Sequence, residues 1–166
     1  IDAQATPLAG ETVDYTSSCG RVLAANVVAG IDVPAFDRSA MDGYALRLSD
    51  LTGEGPWHLP VSVRIAAGDT RALTLPPGTT ARIFTGAPVL FGADAVVMQE
   101  QVSRDGDMIS LTNAPRSGQN IRRRGEDVAD GAQALAAGLA LTPPRLALLA
   151  GCGVASVAVR SRVRVA

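Results

Sequence analysis

From Trp57 to Arg124, short apolar runs alternate with polar residues and are broken by turn residues. This β pattern constrains the chain more than any other feature. Val61, Val63 and Ile65 alternate with polar partners, and Ala81-Arg82-Ile83-Phe84 follows a Pro-Pro-Gly turn. Ala95 to Val102 reads as a longer strand. Asp105-Gly106 then supplies a type I′ hairpin turn into Met108-Ile109-Ser110-Leu111. Strands at this spacing predict a small barrel or sandwich.

The two ends read differently. Thr12 to Ala25 mixes helical spacing with a short apolar run, which predicts a short helix leading into a strand around Asn26–Ala29. Asp32 to Ala45 carries proline, glycine and polar residues in no fixed period and reads as an ordered loop feeding a strand. Past Gly125, Thr142 fits an N-cap and Pro143 the first helical position. Arg145 to Ala150 continues the helix, and Gly151 suits a left-handed end. Val154 to Val159 alternates as a strand. The expected class is therefore α+β: a discontinuous mixed α/β lobe from residues 1–39 and 125–160, with an inserted all-β, barrel-like lobe at 40–124. The chain opens at Ile1 without methionine and ends in the strand-like Val163-Arg164-Val165-Ala166. Residues 161–166 are thus expected to begin a further domain that is absent here.

Composition removes several function classes. No apolar run approaches the roughly 20 residues that span a bilayer, and no signal peptide is visible, so no membrane partner is expected. Cys19 and Cys152 form neither a metal-type pair nor a secreted framework and read as two buried thiols of a cytoplasmic protein. A net charge of −1 and an aromatic content of 4% argue against nucleic acid, which needs a basic surface and stacking platforms. Every basic residue is arginine, so a lysine nucleophile is ruled out within these residues, whereas permanently charged forks for oxyanions are not. One histidine, His58, makes a Ser-His-Asp site or a histidine-rich zinc site untenable here.

Three loops carry chemistry. In Ser39-Ala40-Met41-Asp42-Gly43-Tyr44, a carboxylate precedes a glycine able to take the positive φ of a tight turn. That leaves Asp42 to hold a metal-bound water or accept a hydrogen bond, although an ordinary Asp-Gly turn explains the same residues. In Thr85-Gly86-Ala87-Pro88, a hydroxyl and backbone N–H groups can face an anion, and a strand-ending turn fits equally well. In Arg122-Arg123-Arg124-Gly125-Glu126-Asp127, an extended backbone puts Arg122 and Arg124 on one face as a clamp for phosphate or another oxyanion. A solvated charge run is the competing explanation.

Five motifs follow one another in order: Asp32-Val33-Pro34, Ser39 to Ala45, Arg82-Ile83-Phe84-Thr85-Gly86-Ala87-Pro88, Ala95 to Glu100 and Gly118 to Asp127. Together they resemble the N-terminal, two-lobed region of molybdopterin molybdenumtransferases, the bacterial MoeA type related to the C-terminal part of gephyrin. The resemblance implies an enzyme of molybdenum cofactor biosynthesis that inserts molybdate into adenylylated molybdopterin, releases AMP and requires a divalent cation, usually Mg²⁺. It implies that Asp42, Thr85, Arg122 and Asp127 are catalytic, with Asp42 and Asp127 toward the metal, and that Ser39, Gly86 and Arg124 bind substrate. A homodimer of the parent protein is implied, and the molybdopterin adenylyltransferase is a candidate partner. The family's next domain and pterin pocket have no counterpart here, so the chain is expected to supply part of an active site and to be inactive alone. The other reading within the family is a non-catalytic dimerisation or scaffold module.

Overall fold

A computed structural model describes residues 8–163. The strand expected at Val163 to Ala166 falls almost wholly outside them. In chain order the regular elements are β1 (Gly10–Asp14), β2 (Val27–Val28), β3 (Arg38–Ser39), β4 (Gly43–Leu46), β5 (Trp57–Ile65), β6 (Thr80–Ile83) and β7 (Ala95–Met98). They continue with β8 (Ser103–Asp105), β9 (Met108–Leu111), β10 (Ile121–Arg122), β11 (Gln133–Leu135), α1 (Pro143–Gly151) and β12 (Ser156–Arg160). The protein is thus mostly sheet, with one α-helix among the described residues. That helix is too short to cross a membrane.

The chain forms two compact units. One is discontinuous, built from residues up to Ala35 and again from Gly125; the other is continuous, from Phe36 to Arg124. In the discontinuous unit β1 pairs antiparallel with β12, and β2 with β11. Leu23, Val27, Leu135, Leu141, Leu149, Val157 and Val159 fill its core. The helix expected over Thr12–Ala25 does not form. Gly10–Asp14 is a strand instead, and Asp14 closes a 3₁₀ turn at Tyr15–Ser17 by accepting a 2.8 Å bond from the Thr16 N–H. The reason is tertiary: β12 offers a full ladder of partners, and Val13 gains a place against the core. The C-terminal helix forms where expected, but Gly151 is not left-handed; Gly153 is, with φ 72.

In the continuous unit a six-stranded sheet runs β7-β4-β6-β5-β9-β8. β5 is the hinge of this sheet. Its first half, Trp57–Pro60, pairs antiparallel with β9, and its second half pairs parallel with β6, with a register shift between Val61 and Val63. The shift bends the strand and curls the sheet into a half-barrel. Each face buries a cluster. Ala45, Ile65, Ala81, Ile83 and Val96 belong to one, and Tyr44, Leu46, Leu59, Val97, Ile109 and Leu111 to the other. The long strand expected over Ala95–Val102 is broken by a 3₁₀ turn at Gln99–Gln101. The hairpin turn also sits one residue later than expected. Asp105 pairs with Met108, and of the central Gly106-Asp107 only the glycine has positive φ, the type II′ pattern rather than I′. The expectation of two buried thiols holds for Cys152 but not for Cys19, which is exposed.

Candidate functional site

The site begins with β3, a two-residue strand held on both sides. On one side it is antiparallel to β10, with Ser39 opposite Ile121 and Arg38 opposite Arg122. On the other, the Gly86 N–H donates to the Ser39 carbonyl and the Ser39 N–H donates to the Ala87 carbonyl, each at 2.9 Å. The segment carrying Thr85 and the segment carrying Arg122 therefore flank the same short strand. Asn120 makes this possible at the entrance to β10: it adopts a left-handed backbone (φ 54), which asparagine tolerates, and its Nδ2 donates to the Val96 carbonyl at 2.9 Å.

Three residues beyond Ser39, the chain delivers Asp42 to Thr85. Asp42 Oδ1 accepts from the Thr85 backbone N–H at 2.8 Å and from Thr85 Oγ1 at 2.7 Å, leaving Oδ2 outside both bonds. Those two bonds, backbone first and hydroxyl second, hold the Asp42 carboxyl below its usual range against a smaller opposing effect of burial. The charge of Arg82 assists. The glycine after Asp42 serves a purpose other than a turn. A Cβ at Gly43 would lie 2.0 Å from the Val97 carbonyl oxygen, so the residue is small because β4 passes hard against β7. Gly86, in contrast, does adopt positive φ, at 82°.

The expected site residues are distributed as follows. Asp42 and Thr85 are in direct contact. Ser39 is buried, donates from Oγ to the Met41 carbonyl at 2.6 Å, and shapes the loop from inside rather than presenting its hydroxyl outward. The Gly86 N–H is engaged by Ser39, as above. Arg122 lies half-buried in β10. The extended run expected to align it with Arg124 stops there, because the chain turns at Arg124-Gly125. The turn is tied by Asp37, which accepts from the Arg124 N–H at 2.8 Å and from Arg123 Nη1 at 2.6 Å. Burial works to raise the Asp37 carboxyl, yet these two bonds and the Arg123 charge outweigh it and leave it below the usual range. Asp127 lies in the other unit, exposed, with its N–H donating to the Val33 carbonyl at 2.9 Å. Gly125, also there, has φ 71, and a Cβ on it would meet Asp32 Oδ1 at 2.8 Å.

Sequence reasoning missed Arg82, Phe84 and Asp37. Arg82 donates from Nη1 to the Gly43 carbonyl at 2.9 Å, bonds the Gln99 side chain, and stands over the Tyr44 and Phe84 rings at 5.1 and 4.5 Å. A signal for the first two was present: the alternation of Ala81-Arg82-Ile83-Phe84 places Arg82 and Phe84 on one face. Among the described residues no group of three or more His, Cys, Asp or Glu could enclose a metal ion.

Comparison with known proteins places this geometry in a family. The family described as the MoeA N-terminal region (domain I and II) matches residues 1–153. Molybdopterin molybdenumtransferase 2 of Mycobacterium tuberculosis is 45% identical over 157 residues, covering 93% of this chain and 39% of that protein. Molybdopterin molybdenumtransferase of Haemophilus influenzae is 43% identical over 152 residues, covering 91% and 37%. The crystal structure of the molybdopterin biosynthesis MoeA protein from Pyrococcus horikoshii OT3 superposes with a TM-score of 0.83 at 37% identity, covering 92% of this chain and 41% of its own. The chain spans about two fifths of the length of these relatives. A match across this much of the chain, in sequence and in fold, means that it belongs to the MoeA family, as its N-terminal region.

Proposed function

We propose that the chain is the N-terminal part of an enzyme of molybdenum cofactor biosynthesis that inserts molybdate into adenylylated molybdopterin with release of AMP, and that it is inactive alone. The observation that carries this reading is the Asp42–Thr85 pair. It is a carboxylate fixed by two hydrogen bonds from one residue, where motif-bearing segments meet, in a chain of this family.

The chemistry asks for fixed charge and fixed donors. A phosphoanhydride and a molybdate dianion both gather negative charge, which preorganised cations stabilise without reorganising. Arg122 and Arg124 would supply that charge, and Thr85 would orient Asp42. Mg²⁺ commonly takes one or two carboxylates and completes its shell with water and substrate phosphates, so the absence of a three-carboxylate cage does not conflict with it. Asp42 Oδ2 would hold such a cation. When bound, the cation would withdraw charge from the anhydride oxygens.

The test uses the intact protein with adenylylated molybdopterin, molybdate and Mg²⁺, following molybdenum incorporation and AMP release. Asp42→Asn is expected to lower turnover by about 100-fold or more, as loss of a positioned catalytic group does, with the oligomeric state unchanged. The chain alone is expected to release no AMP. Activity within about twofold of wild type in Asp42→Asn would remove the catalytic assignment and leave the scaffold reading.

A further inference from the structure

Strands β5 and β6 run parallel, and their register sets Arg64 directly beside Arg82. Neighbouring strands lie about 4.8 Å apart and side chains in register share a face, so the two arginines leave the sheet side by side. Like charges so placed repel. Both rest on one aromatic ring: Cζ of Arg64 lies 4.4 Å from the Phe84 centroid and Cζ of Arg82 lies 4.5 Å from it. Cation–π attraction offsets part of the repulsion but brings no negative charge. Among the described residues neither guanidinium lies within ion-pairing distance of a carboxylate.

These residues line a groove of about 360 Å³, together with Ser62, Arg104 and Asp107. Its balance is three cations against one carboxylate, and that carboxylate, Asp107, stands 3.7 Å from Arg104. The chain as a whole is slightly negative, so this patch is a local concentration rather than part of a basic surface. The groove also adjoins the Asp42 site. Phe84 precedes Thr85 in the chain, and Arg82 bonds the carbonyl of Gly43, the residue after Asp42.

We propose that this groove is a phosphate-binding subsite, in which Arg64, Arg82 and Arg104 take a small diphosphate-type anion whose remainder reaches toward Asp42 and Thr85. Guanidinium forks match phosphate oxygens in pairs, and an anion between Arg64 and Arg82 removes the repulsion that the register imposes. Phe84 serves there as a support for the cations, not as a platform for a stacked base. The proposal rests on the reading of Asp42–Thr85 given above, and the two can fail separately.

Inorganic pyrophosphate, titrated into the intact, metal-free protein at low ionic strength, is the probe, followed by backbone amide shifts. The amides of Ser62, Arg64 and Phe84 are expected to move. Arg64→Gln is expected to weaken binding by about tenfold or more, the loss of one charge-assisted contact, while Arg116→Gln, an exposed arginine outside the groove, changes it by less than about twofold. Unchanged affinity in Arg64→Gln, or equal weakening in both variants, would overturn the subsite. If the groove fails while Asp42→Asn still abolishes turnover, the Asp42 reading stands without it. If Arg64→Gln weakens pyrophosphate while Asp42→Asn keeps full turnover, the groove stands and the Asp42 reading falls.

Discussion

The Asp42 carboxyl is held below its usual range because one residue serves it twice. A backbone N–H donor is fixed by the turn, and a hydroxyl donor on the same residue is fixed with it, so the carboxylate needs little of its own side-chain freedom to be oriented. The carboxyl is solvent-accessible, and the arrangement matters for orientation and pKa more than for stability. Thr85→Val deletes the hydroxyl donor and keeps the backbone one. The Asp42 titration midpoint, read from its carboxyl carbon by NMR, is expected to rise toward the ordinary 3.8. The sign follows from linkage. A depressed folded-state pKa contributes stability above the unfolded value and loses it as pH falls through the folded one, so the variant has less to lose on acidification. A midpoint that does not move would show that the hydroxyl does not act on Asp42. The basic motif shows the limit of reading single residues. Asp37 pairs with Arg123, the residue between the two arginines expected to form the clamp.

The helix α1 separates placement from mechanism. Pro143 at its start and the apolar Leu146, Leu148 and Leu149 place it as periodicity predicts. Thr142 occupies the N-cap, yet its side chain makes no capping bond; only its carbonyl is used, accepting from the Leu146 N–H at 3.0 Å. Thr142→Ala is therefore expected to cost less than about 0.5 kcal/mol, whereas a working cap is worth about 1 kcal/mol. Leu149, fully buried, carries the docking of the helix, and Leu149→Ala is expected to cost about 2–5 kcal/mol. Denaturant midpoints at constant m-value decide the comparison, and equal losses in the two variants would contradict it.

At the scale of the whole molecule, the two units differ in how their chains close. The Phe36–Arg124 unit is continuous and buries a cluster on each face of its curled sheet. Expressed alone, residues 36–124 are expected to give dispersed amide spectra and one cooperative unfolding transition; a molten chain without such a transition would contradict this. The other unit cannot be made from either of its segments. Gly10 pairs with Arg160 and Val27 with Leu135, so each end supplies the other's partner, and residues 8–35 alone are expected to stay unfolded.

What the sequence by itself determined was local. Period-two alternation located the inner strands, proline and apolar spacing located α1, and the motif residues identified the family and singled out Asp42 and Thr85. What tertiary structure decided was everything that needs a distant partner. Gly10–Asp14 is a strand because β12 lies beside it. Gly43 is a glycine because the β7 backbone presses on it. Ser39 is interior because two segments enclose β3, and Arg64 and Arg82 face one another because of the register of β5 on β6. Propensity and spacing act over a few residues, whereas pairing, burial and the clustering of charge are set by neighbours that only the closed chain supplies.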